Sequence, residues 1–166
     1  SATGDERVIE LMRAYFRYQL RELPKTPLGH WTFWGEQRGG DNLSIVYWLY
    51  NITGDEFLLE LGDLIHRQTL DWTGILAGGE VIPTPFSLHC VNLAQGIKEP
   101  VVYYQRSNDP AHVAAVKKGF ADIRRHIGLP TGLYGGDEAL HGAAPTQGSE
   151  LCTAVEMMYS LEEMAE

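Results

Sequence analysis

The 166 residues carry 22 acidic and 13 basic side chains, a formal charge of −9, and only two cysteines. That balance speaks against binding a phosphate backbone, which takes clustered Lys and Arg, and two cysteines make neither a disulfide scaffold nor, alone, a four-thiolate zinc site. At 44% hydrophobic the chain has an ordinary globular composition and the length of one domain, with no run approaching the ~20 apolar residues of a membrane span and no signal-peptide pattern over Ser1 to Glu6.

From Asp5 to about Leu23, Val8, Ile9, Leu11, Met12, Tyr15, Phe16 and Leu20 recur at helical spacing, with Arg7, Arg13, Arg17 and Arg21 mostly on another face. Pro24 and Pro27 end that helix. An aromatic, glycine-rich loop runs from Leu28 to Gly40. Asp41 or Asn42 then caps a second helix, apolar nearly all round and so expected to be buried on most sides. Thr53-Gly54-Asp55-Glu56 fits a capping box ahead of a third helix carrying Phe57, Leu58, Leu61, Leu64, Ile65 and Leu70. The short connection makes these two an antiparallel hairpin.

A long loop is expected over Thr73 to Ser87, then a short apolar helix from His89 to Lys98, stopped by Pro100. Val101 to Gln105 has strand-like residues, but its place among helices favours a helical turn. Asp109-Pro110 starts another helix, with Gly128 as a left-handed stop. A further loop, Leu129 to Gly148, leads to a last helix from near Ser149 or Glu150 that is still running at Glu166. About six helices result, joined by alternately short and long connections. The fold class is all-α: a compact bundle or, favoured by that alternation, part of an (α/α) toroid cut from a longer chain.

Four groups of residues could carry chemistry. Gly132-Leu133-Tyr134-Gly135-Gly136-Asp137-Glu138 offers two acids on a glycine-rich loop, one of which could act as a general acid; on position alone, a turn cap is the plainer meaning. Glu150 and Cys152 point about 200° apart on an ideal helix, yet both could reach one metal ion if the helix starts between them. A Glu-x-Cys pair is at most half of a tetrahedral zinc site. His89 and Asn92 share one helix face near a loop rim, where such a pair can bind sugar hydroxyls. Cys90 between them has no second ligand at metal spacing and reads as buried packing. Finally, Trp31, Phe33, Trp34 and Arg38 could form a sugar platform, although aromatics anchoring a loop are commoner.

The stretches RGGDNLSIVYWLYNITGDEFLLELGDLI, HCVNLAQGIKEPVVYY, GLYGGDEALHG and PTQGSELCTAVEMMYSLE together resemble the bacterial β-L-arabinofuranosidase-type glycoside hydrolases. The resemblance runs from about Trp34 to the end, in the family's order. It implies an (α/α)6 barrel, of which residues 1–166 would be a partial catalytic domain truncated at both ends. It also implies retaining hydrolysis of terminal β-L-arabinofuranosides or a related plant-cell-wall sugar, with a zinc-bound cysteine thiolate as nucleophile. On this resemblance Glu138 is the general acid/base, Glu150 and Cys152 are zinc ligands, and His89 contacts the substrate, with Asn92 counted beside it from its place on the same face. Cys90 stands where the family has glycine.

The family's remaining cysteines, nucleophile included, lie beyond the stretches matched, so the fragment alone is expected to be inactive. Its partners are then an oligosaccharide and the rest of its own catalytic domain, with no nucleic acid and no membrane. The compartment is open between bacterial cytoplasm and periplasm. Other readings are a non-catalytic helical carbohydrate-binding or scaffold domain, or another toroid enzyme such as a sugar epimerase or an unsaturated-uronide hydrolase, which use His or Asp without a thiolate.

Overall fold

Residues 4–32, 34–78, 89–140, 142–144, 146 and 148–165 are described by a computed structural model. The described residues are all-helical: nine helices and three isolated backbone bridges, without a strand. None of these helices is long and apolar enough to cross a membrane. The helices fall into two units, Ser1–Leu70 and Asp71–Glu166. Each packs helix against helix, which is compatible with part of an (α/α)6 barrel.

In the first unit, α1 (Glu6–Glu22) opens on the Asp5 carboxylate, which accepts from the Arg7 amide at 3.0 Å. Its buried residues are only Phe16 and Gln19; Val8, Leu11 and Tyr15 of the expected apolar face are exposed, as is Tyr18. A four-residue helix, α2 (Leu28–Trp31), occupies the start of the expected loop. The indole of Trp31 donates to Thr26 O at 2.5 Å and meets Tyr18 edge-on, while Arg38 lies over Trp34. The described aromatics therefore anchor the loop; Phe33 lies outside the described residues.

Helix α3 (Gly39–Thr53) begins earlier than its sequence signals, with Arg38 at the cap position. Asn42 is not the cap because the helix has already begun at Gly39, and its side-chain amide donates to Gln19 Oε1 at 3.1 Å. Leu43, Val46, Tyr47 and Leu49 are buried, but Ile45, Trp48 and Ile52 form an exposed side, so burial is partial. Gly54 closes α3 in the left-handed region, φ 69°. The expected capping box does not form: Thr53 Oγ1 accepts from the Asp55 amide, two residues on, and donates back to Leu49 O. Helix α4 (Phe57–Gln68) still packs on α3 across three residues, as the sequence predicts.

The second unit holds α5 (Trp72–Gly78), α6 (Cys90–Gly96), α7 (Glu99–Ser107), α8 (Pro110–His126) and α9 (Leu151–Glu163). The first part of the loop expected from Thr73 is thus α5; residues 79–87 of it lie outside the described residues. Burial explains the helix: Trp72 and Leu76 are enclosed, and Trp72 lies against the backbone of Gly96. Pro100 does not stop a helix but sits in the first turn of α7, where its missing N–H costs nothing. The helical alternative for Val101 to Gln105 is the one observed.

Asp109 caps α8 as the sequence indicates, accepting from the Ala111 amide at 2.9 Å. Asp109→Ala is expected to lower the stability of the folded chain by about 1 kcal/mol, read from urea unfolding; an unchanged midpoint would remove the cap from the account. Gly128 is not a left-handed stop, for Ile127 closes α8. Glycine is required there for space: a Cβ would lie 2.6 Å from Arg124 O.

Candidate active site and metal cluster

Three segments of the second unit meet around one imidazole. His89 is the cap of α6, with Nδ1 accepting the Val91 amide at 3.1 Å. A ring nitrogen that accepts a proton carries none, so the neutral ring holds its proton on Nε2. That Nε2 lies 3.3 Å from Glu138 Oε2 and 3.7 Å from Glu150 Oε2. The fold thus turns a donor toward two carboxylates from different segments.

Backbone hydrogen bonds bring those segments there. The Cys90 amide donates to Asp137 O, the Gly136 amide to Gly148 O, and the Glu150 amide to Gly136 O. Gly136 is consequently bridged to both Leu140 and Ser149. A Cβ on Gly136 would come within 2.7 Å of the Cys90 Cβ, so the loop reaches α6 only with glycine at this point. Tyr134 completes the clamp, donating its hydroxyl to Cys90 O at 2.5 Å. Burial pushes the Tyr134 hydroxyl well above its ordinary pKa, so it remains a donor at neutral pH.

Of the two adjacent acids, Asp137 takes the turn-capping role through an Ala139 amide bond at 3.2 Å. Glu138 has its side chain 86% exposed, open to an incoming substrate. Asn92, on α6, is fully buried. His141 lies outside the described residues.

Glu150 has extended backbone, and α9 begins at Leu151. The helix therefore starts between Glu150 and Cys152, the condition under which both can face one ion. Cys152 is exposed, and its hydrogen bond to Glu150 raises its pKa. Cys90 is enclosed but not in apolar packing alone, contrary to the sequence reading. Its Sγ donates to Glu150 Oε2 at 3.4 Å and accepts from Thr153 Oγ1 at 2.8 Å. Burial first, and Glu150 after it, push this thiol up to about 11. In the reduced chain iodoacetamide is expected to label Cys152 well before Cys90 at neutral pH, as read by mass spectrometry; equal rates would contradict the enclosure.

Ligand-capable atoms of His89, Cys90 and Glu150 lie within 4.8 Å of one another. A nitrogen, sulfur and oxygen donor set is one that zinc accepts, so the residues fit that ion. Spacing could not have revealed Cys90 and Thr153 in this cluster, since 63 residues separate them. Lys98 was equally silent: wholly buried, it donates to Ser160 Oγ at 3.4 Å, while Ser160 donates to Ala94 O, fastening α9 to α6. A separate apolar cleft of about 960 Å³ between α8, the 128–134 segment and α9 is lined by Phe120, Leu129, Leu133, Met157 and Leu161 among others, and neither Glu138 nor Glu150 lines it.

No curated protein and no solved structure matches the chain. A family model does, described as β-L-arabinofuranosidase, GH127 catalytic domain, over residues 1–166, and the chain belongs to that glycoside hydrolase family.

Proposed function

We propose that the chain supplies the acid/base side of a retaining exo-glycosidase acting on terminal β-L-arabinofuranosides or a related plant-cell-wall sugar, with its cysteine nucleophile outside these residues. The observation that supports this reading is the pairing of an exposed Glu138 with Glu150 across His89 Nε2. Glu138 protonates the departing glycosidic oxygen, then takes a proton from the water that releases the sugar from the enzyme. His89 Nε2–H orients the Glu138 carboxylate and is available to a sugar hydroxyl, with Asn92 of the adjoining helical turn as the second pocket residue.

Glu150 and Cys152 hold zinc, with the remaining ligands supplied from outside the chain. When bound, zinc keeps a coordinated thiol deprotonated at neutral pH and so makes it nucleophilic. In the enzyme containing this chain, Cys152→Ser is expected to lower bound zinc, measured by elemental analysis. Full metal occupancy in that variant would remove Cys152 from the ligand set.

A further inference from the structure

We propose that the cleft between α8, the 128–134 segment and α9 is a binding site for an amphipathic anion, an apolar body carrying one acidic group. Its volume of about 960 Å³ is that of a small-molecule pocket. Neither Glu138 nor Glu150 lines it, so the inference does not draw on the acid/base or the zinc reading.

The apolar wall is built before any ligand arrives. The Leu129 amide donates to Leu133 O at 2.8 Å and the Gly132 amide to Leu129 O at 3.0 Å. They close a tight turn in which Gly132 takes φ 92°, a conformation that favours glycine. The Gly135 amide ties the turn back to the end of α8, donating to Ile127 O at 2.9 Å. Tyr134 lies buried in the same wall, its hydroxyl held on Cys90 O. Phe120 of α8 and Met157 of α9 complete the apolar lining. Walls fixed in this way lose little conformational freedom when a ligand binds.

The charges of the cleft are the second argument. Acids outnumber bases 22 to 13 in the chain. Yet among the described residues the charged groups lining the cleft are both cations, Arg124 and Arg125 in the last turn of α8. Neither guanidinium is paired with a described carboxylate. Both residues are exposed, so the acidic end of a ligand held there stays beside water. The planar, weakly hydrated guanidinium suits a carboxylate or sulfonate at the edge of an apolar site. A neutral apolar molecule would leave the two cations unanswered, and a small inorganic anion would leave the walls uncovered. The cleft fits a molecule with both parts.

The test is a fluorescence titration of the enzyme containing this chain with two probes, anilinonaphthalenesulfonate and its neutral counterpart phenylnaphthylamine. Saturable binding of the sulfonate is expected. Combining Arg124→Gln with Arg125→Gln weakens it about tenfold, the order of a lost charge-assisted hydrogen bond. Phenylnaphthylamine binds the same with and without the two arginines. Phe120→Ala weakens both probes; if that variant unfolds by circular dichroism, the surface arginines still decide. Should the arginines serve only the dipole of the helix end, their loss lowers thermal stability and leaves both probes unchanged, which overturns the proposal. Absence of saturable sulfonate binding, as when other residues of the enzyme fill the cleft, overturns it too, as does an unaltered affinity in folded Phe120→Ala. Glu138→Gln is expected to bind the sulfonate normally; weaker binding there would put the probe in the catalytic site and overturn the proposal. Failure of the arginine arm leaves the glycosidase reading standing.

Discussion

Glu138→Gln lowers hydrolysis of a natural β-L-arabinofuranosyl disaccharide by about 10²- to 10⁴-fold in the enzyme containing this chain, the usual worth of a positioned acid/base. Glutamine keeps the size and the exposed position of Glu138 but has no proton to give a poor leaving group. A substrate with an activated aryl leaving group requires no such proton at bond cleavage, so its first step is spared and the loss moves to the water step. Zinc content stays at the wild-type level, because Glu138 is not among the proposed ligands. The diagnostic result is a loss of turnover that depends on the leaving group, at constant metal. Full activity on the disaccharide would take Glu138 out of the mechanism.

Trp72→Ala lowers the stability of the folded chain by about 3–5 kcal/mol, the range for emptying a large aromatic site in a core. Trp72 is wholly buried at the start of α5, and its ring lies so near Gly96 that a Cβ there would fall 2.0 Å from it. Nothing small can refill that space, because the opposing wall is helix backbone. The ring also gives a helix to a segment whose glycines read as loop. Urea unfolding monitored by circular dichroism should show a lower midpoint with little change in slope. A change below about 1 kcal/mol would mean that the site collapses around the missing ring.

Where a fold signal was local, the sequence carried it. Asp109 caps α8 through its own side chain, and the chemistry of such a cap lies within two residues. Where a signal has two local meanings, the outcome depended on distant contacts. Pro100 can close one helix or open the next, and a proline in a first turn opened α7. Asn42 is as good a cap as Asp109 by composition, yet α3 begins three residues before it and its amide donates to Gln19 of another helix. His112 carried no signal because its partners, Thr73 and Tyr103, come from other helices.

The site divides the same way. Glu138, Glu150 and Cys152 were legible as candidates, although their roles came from the family resemblance. That the Glu138 and Glu150 carboxylates share one imidazole follows from the Gly136 bridges, which no spacing rule describes. Cys90 was misjudged because its acceptor and its donor both lie on or beside α9.

Every residue of α6 is buried, from Cys90 to Gly96. An amide in such a segment has no local route to water, so its hydrogen exchange is governed by the opening of the whole unit rather than by fraying. His89 and Cys90 stand at the first turn of that segment, and their places shift only when the unit itself comes apart. Glu138, 86% exposed, carries no such protection, so the site sets an open acid against an enclosed base of α6.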